Sequence, residues 1–102
     1  EKRAFGWYLD GRASAVFGTH THVQTADEEI LPGGTGYITD IGMSGSFNSV
    51  IGMDTEKSIQ RFLRLTKIKY DVAAGNEKLN GIVFRFSGEG KTVAIERILL
   101  EK

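Results

Sequence analysis

The chain has no cysteine, no net charge, no long apolar run and only two histidines among its 102 residues. Each scarcity removes a class of function. Without cysteine there is no disulfide framework, no thiolate zinc site and no thiol nucleophile, and a reducing, cytoplasmic setting is the compartment expected. Thirteen basic and thirteen acidic residues cancel, so there is no electrostatic footprint for duplex nucleic acid or for an anionic membrane surface. Affinity for a phosphate must then come from a local site rather than from long-range attraction. The apolar runs fall well short of the roughly 20 residues a helix needs to cross a bilayer.

What is present suits one small domain. A hydrophobic content of 40% and a charged content of 25% are ordinary for a globular chain. A chain of this size buries about 60–68% of the surface exposed on unfolding, which predicts marginal stability. No initiator Met or secretory signal opens it. Glu1-Lys2-Arg3 runs straight into helical spacing, with Ala4, Phe5, Tyr8 and Leu9 on one stripe. A helix entered without a cap residue reads as a cut through a larger protein, so the expectation is a segment.

The opening helix is expected to stop near Asp10-Gly11, where Gly can take the left-handed conformation. Ser14 to Gly18 and Gly36 to Ile41 are short apolar runs without alternation, expected as strands buried on both faces. Pro32-Gly33-Gly34 marks a turn between them, and Gly42 to Met53 reads as a glycine-punctuated loop. Asp54 is a good N-cap for a helix to Leu65. Glu56 sits in its first turn, Arg61 and Arg64 near its end, and Ile59, Phe62 and Leu63 form an apolar stripe. Three strands should close the chain as a meander: Ile68 to Ala73, Leu79 to Phe86 and Thr92 to Leu100, turned at Gly75-Asn76 and at Ser87 to Gly90. The expected fold class is therefore α/β. A single unit over residues 1–102 is mixed α/β through residue 67 and a β-meander from residue 68.

Both histidines fall together, as His20 and His22, directly after the first apolar run. If strand geometry persists through them, the two imidazoles share a face, because side chains repeat every second residue. Converging imidazoles suit a transition metal. An isolated His-x-His more often marks two loop histidines bonded to neighbours, since a metal site usually needs four ligands or more.

The surrounding residues shift that balance. Gly18-Thr19-His20-Thr21-His22-Val23-Gln24-Thr25-Ala26-Asp27-Glu28 resembles the last metal-binding motif of the calcineurin-like metallophosphoesterases, and is closest to their YmdB-like branch. Gly6 to Gly11, Tyr37 to Met43, Ile51 to Asp54, Arg61-Phe62-Leu63 and Ile95 to Ile98 are similar to that branch as well, so the resemblance runs nearly end to end. It implies a two-sheet sandwich, of which this chain would hold late strands, one ligand loop, a helix and the closing meander. It also implies two divalent or transition metal ions (Fe, Mn or Zn) and a phosphodiester substrate, such as a 2′,3′-cyclic nucleotide, cleaved by attack of metal-activated water. Position by position, His20 and His22 match the last two imidazole ligands. The Asn-His pair, the first-strand Asp and the bridging acidic ligand have no counterpart here, so no residue of the chain is assigned a catalytic role and the segment alone is expected to be inactive. Thr19, Asp27, Glu28, Gly42 and Met43 are the candidates for supporting the ligand loop. Gly33 to Gly36 lacks a P-loop lysine and a following helix, and reads as a turn. The alternative from another class is a non-catalytic α/β piece that self-associates through exposed sheet edges, a homo-oligomer in either case.

Overall fold

Two helices and six strands follow in the order α1 (Lys2–Leu9), β1 (Ala15–Phe17), β2 (Glu29–Ile30), β3 (Gly36–Ile38), β4 (Ser44–Ser46), α2 (Thr55–Arg64), β5 (Glu77–Phe86) and β6 (Thr92–Glu101). They are seen in a computed structural model that describes residues 1–102. The mixed α/β class is as expected, with two small sheets.

β3 sits at the centre of the first sheet, parallel to β1 and antiparallel to β2. Paired on both sides and covered on both faces, all three of its residues are buried. Tyr37 and Ile38, with Leu31, are the whole buried apolar core. This is the buried strand expected at Gly36 to Ile41, but the ladder stops at Ile38. Beyond it the chain bonds to loops: Thr39 N donates to Asp27 Oδ1 and Ile41 N to the Gly18 carbonyl. The strand at Ser14 to Gly18 departs from expectation. β1 pairs on one side only, and Phe17 stays 56% exposed. An edge strand has a free side whatever its hydrophobicity, and the short apolar run carries no information about that.

α1 packs on β3 through a glycine. A Cβ on Gly6 would lie 2.6 Å from the Tyr37 ring, so only Gly lets the helix backbone reach the aromatic face. The helix ends at Leu9 and Gly11 takes a φ of 80°, the left-handed turn expected there. Phe5 and Tyr8, on the apolar stripe read from the sequence, are exposed in the single chain.

The second sheet runs β4-β5-β6, all antiparallel, and is mostly one long hairpin registered from Lys78↔Glu101 to Phe86↔Thr92. Its turn at Ser87 to Gly90 and its strands are as read from sequence. The third strand is not. Ile68 to Ala73 joins no sheet: its one β pairing is an isolated bridge from Val72 to Met53, and Arg61 and Lys57 of α2 contact it through Ile68 and Asp71. Its place beside β5 is taken by Ser44-Gly45-Ser46, inside the expected loop. Ser-Gly-Ser has neither alternation nor β-branching; it is a strand because β5 offers it a ladder. The two sheets join at Thr92, whose Oγ1 donates to the Ser14 carbonyl (2.7 Å) and accepts from Gly36 N (3.2 Å).

α2 follows its local signals closely. The Asp54 carboxylate accepts from Lys57 N at 2.9 Å, and Leu65 ends the helix in the left-handed conformation. Its packing does not follow them. Ser58 is the one buried residue, whereas Phe62, Leu63 and Leu65 are 84%, 78% and 90% exposed. The helix stands away from both sheets, and the radius of gyration reaches 17.0 Å against about 13 Å for a compact chain of this length.

Candidate metal-ligand loop and adjoining cleft

His20 and His22 lie three and five residues beyond Phe17, the last residue of β1. The strand does not persist through them. His20 has φ 138° and His22 φ 64°, so the period-two argument for a shared face does not apply. Two non-glycine residues in this region cost about 1–3 kcal/mol each, and such strain persists only where surrounding structure enforces it.

The enforcing group is Asp40. Its side chain is fully buried at the mouth of the first sheet. It accepts from Thr21 N and Thr21 Oγ1, both at 2.7 Å, and from Gly42 N at 2.8 Å, with Lys2 Nζ 3.6 Å away. Thr21 is the residue between the histidines. One carboxylate therefore pins the histidine loop on one side and the Gly42-Met43 loop on the other. Burial alone would push its pKa up; the Gly42 and Thr21 donors and the Lys2 charge overcome that and hold it below the usual carboxylate range. Lys2 also donates to the Thr19 carbonyl at 2.6 Å, which ties the loop to α1. Gly18 is fixed by close approach, since a Cβ there would lie 2.3 Å from the Thr39 carbonyl.

The imidazoles are exposed and differently placed. His22 Nδ1 lies 2.8 Å from the Ile51 carbonyl. A carbonyl only accepts, so Nδ1 carries the hydrogen and the neutral ring keeps its lone pair on Nε2. Ile51 itself is strained, with φ 50°. The His20 ring makes no hydrogen bond within the chain. Both rings thus offer nitrogen donors of the kind a transition metal takes, and the bond from Nδ1 to a backbone carbonyl is the usual way a ligand imidazole is oriented. No group of three or more His, Cys, Asp or Glu side chains gathers anywhere in the chain. The residues present fit part of a metal's ligand set, and a complete set needs ligands from outside this chain.

The other candidates divide. Thr19 contributes its carbonyl. Asp27 does not reach the histidines: it accepts from Thr25 Oγ1 at 2.6 Å and from Thr39 N and Oγ1, bracing the loop against the end of β3. Burial raises its pKa and these donors lower it by more. Glu28 faces Arg97, whose Nε is 3.0 Å from Oε2. The N–H is not aimed at that oxygen, which remains buried without a hydrogen bond. Gly42 has φ 86°, and a Cβ there would lie 2.3 Å from Asn80 Nδ2. Met43 joins His22, Val23, Phe47, Ile51, Asn80 and Leu99 around a cleft of about 330 Å³.

Sequence reading missed Asp40 and Gln24 as organisers of the site. Gln24 Nε2 donates toward three carbonyls, Ile41 (3.3 Å), Gly81 (3.0 Å) and Ile98 (3.3 Å), and so stitches the histidine loop to the second sheet. The signal for Asp40 was available: a carboxylate closing a buried apolar run must be partnered. Nothing local marks Gln24.

A family profile described as YmdB-like protein matches residues 1–98. The chain is 54% identical over 101 residues to the 2′,3′-cyclic-nucleotide 2′-phosphodiesterase of Bacillus subtilis (strain 168), covering 98% of this chain and 38% of that one. Two solved structures superpose closely. One is a hypothetical protein from Thermus thermophilus, with TM-score 0.96 and 45% identity over all of this chain and 40% of that chain. The other is a phosphatase from Mycoplasma pneumoniae, with TM-score 0.92 and 40% identity over 98% of this chain and 36% of that chain. The chain thus spans little more than a third of the length of the proteins it matches. With a whole-chain profile match and this fold, the chain belongs to the YmdB-like family.

Proposed function

We propose that this chain is the part of a metal-dependent phosphodiesterase that carries its last two imidazole ligands, His20 and His22, and that the complete enzyme hydrolyses 2′,3′-cyclic nucleotides. The observation that carries the reading is the His22 Nδ1 contact to the Ile51 carbonyl, 2.8 Å. It sets the tautomer so that Nε2 is the donor, in a loop whose strained backbone is held by Asp40. Support for the reaction comes from the name of the Bacillus subtilis relative. His20 and His22 would help to hold a pair of divalent ions, which would supply Lewis-acid activation of water and charge neutralisation on the transferring phosphoryl group. This chain's own contribution is to hold two imidazoles: Lys2 and Asp40 fix the loop, and Ile51 fixes the ring of His22. The acid for the leaving group lies outside these residues.

The test replaces the matching segment of the Bacillus subtilis phosphodiesterase with this chain. The chimera should hydrolyse bis-p-nitrophenyl phosphate and 2′,3′-cyclic AMP with added Mn²⁺, and His20→Ala or His22→Ala should remove at least about 10²-fold of the rate, since metal catalysis needs a fixed coordination sphere. In the 102-residue chain, Mn²⁺ should broaden the imidazole NMR signals of both histidines before any others. Full activity in both alanine variants, or broadening that spares the histidines, sinks the assignment.

A second reading, self-association, has its own observation. The accessible surface is 6998 Å², whereas a compact chain of this mass exposes about 5,700 Å². The excess is of the order of one partner's share, about 800 Å², of a stable dimer. The stripe Ile59, Phe62, Leu63 is the surface that a second copy would cover. Light scattering that shows a monomer at millimolar concentration removes this reading and leaves the first untouched.

A further inference from the structure

We infer that the cleft beside His22 is a nucleobase subsite, in which Phe47 supplies the stacking face and the Asn80 amide reads the base edge. The inference rests on the phosphodiesterase reading above and names the part of the substrate that this chain recognises.

Four observations meet there. The cleft shares a wall with the ligand loop: His22 and Ile51, which are bonded to each other, both line it. A group bound in it therefore lies beside the ring whose Nε2 is free. Its volume of about 330 Å³ is at the small end of the roughly 300–1,000 Å³ of small-molecule sites. Its lining is apolar in the larger part (Val23, Met43, Ile51, Leu99 and the ring of Phe47), with His22, Gln24, Ser49 and Asn80 as its polar members. Such walls take a flat, poorly solvated heterocycle and reject a bare phosphate.

Asn80 adds the polar component. It is half-buried and its side chain makes no hydrogen bond within the chain. Its neighbours Ser49 and Gln24 are both engaged, Ser49 with Ser46 and Gly52, Gln24 with three carbonyls. An amide presents a donor and an acceptor side by side, the pattern that pairs with a purine edge. Its position is built for: Gly42 leaves the room that the amide nitrogen occupies, and a Cβ at Gly42 would meet it at 2.3 Å. Lys78 Nζ lies 5.3 Å from the Phe47 ring centroid and is paired with Glu101 at 2.9 Å. The ring is thereby braced from one side by a cation already neutralised.

Two measurements test this. In the first, adenosine is titrated into the isotope-labelled 102-residue chain without metal. The Asn80 side-chain amide and the Phe47 ring should shift saturably, while inorganic phosphate at equal concentration leaves them in place. In the second, Phe47→Leu and Asn80→Ala are placed in the chimera. For each variant kcat/KM should fall at least about tenfold further on 2′,3′-cyclic AMP than on bis-p-nitrophenyl phosphate, with the loss in KM, as expected for a lost base–aromatic contact. Equal losses on both substrates, or no adenosine shifts at Asn80 and Phe47, overturn the subsite. In that event the His20→Ala result still decides the phosphodiesterase reading. If His20→Ala is fully active, it is that reading which has failed.

Discussion

The first sheet and the arm around α2 are opposites. β3 has three residues, no cap and no amphipathic pattern, yet it holds the apolar core and aims Asp40 at the histidine loop. α2 has ten residues, an aspartate cap, well-placed charges and a clear apolar stripe, yet buries a single serine. Local consistency makes an element form; it does not decide what the element packs against. The candidate site follows the packing. His20, Thr21 and His22 are held from α1, from the residues that end β3 and from the Ile51 carbonyl before α2, and Gln24 ties their loop to the second sheet.

Four substitutions probe that contrast, in falling order of effect. Tyr37→Ala removes the largest buried side chain and should cost about 3–5 kcal/mol by thermal or urea unfolding. A loss as small as that of a surface change would mean the core lies elsewhere. Asp40→Asn should cost about 1.5–3 kcal/mol, because charged hydrogen bonds to Thr21 and Gly42 are weakened in a buried site, and should free the histidine loop in NMR relaxation. The same carboxylate gives a pH signature. Its folded pKa lies below its unfolded value, so its contribution is complete above about pH 4 and is lost as pH falls through the folded pKa. Asp40→Asn should flatten acid unfolding in that window, and an unchanged acid limb would show that other carboxylates govern it. Asp54→Ala should cost about 0.5–2 kcal/mol for the lost cap, with no change at the histidines. Phe62→Lys should alter stability by less than about 0.5 kcal/mol, since the residue is exposed in the single chain. If a second copy covers α2, this same change should shift light scattering to the monomer, and a stability loss of several kcal/mol without dissociation would place Phe62 in a core.

Reading the residues foresaw the helices, the buried β3, the long hairpin and its turn, because those depend on spacing and turn chemistry within a few residues. It singled out His20 and His22 as metal candidates through the Gly18 to Glu28 motif. It failed wherever the deciding partner was remote. Ser44 to Ser46 becomes a strand through β5, some thirty residues on, while Ile68 to Ala73 has strand composition and finds no ladder. Phe17 ends β1, an edge strand, and stays exposed because nothing in the chain covers it. Asp27 and Glu28 are candidates for supporting the histidine loop by their nearness in sequence. Asp27 braces the loop through Thr25 and Thr39 and Glu28 faces Arg97, while the carboxylate bonded to the residue between the histidines is Asp40, eighteen residues beyond His22.

The Gln24 side chain carries a consequence for the order of folding. Its bonds to Gly81 and Ile98 span 57 and 74 residues. Closing so long a loop is entropically costly until other contacts have drawn its ends together. The β5–β6 hairpin needs only a local turn and forms on a timescale of about microseconds. The histidine loop should therefore acquire its last restraint only after the C-terminal hairpin has closed. A chain still being synthesised, or one shortened before Ile98, would display both imidazoles while lacking the stitch that fixes them. Stopped-flow refolding followed at the histidines should accordingly lag hairpin formation, and Gln24→Ala should abolish the lag.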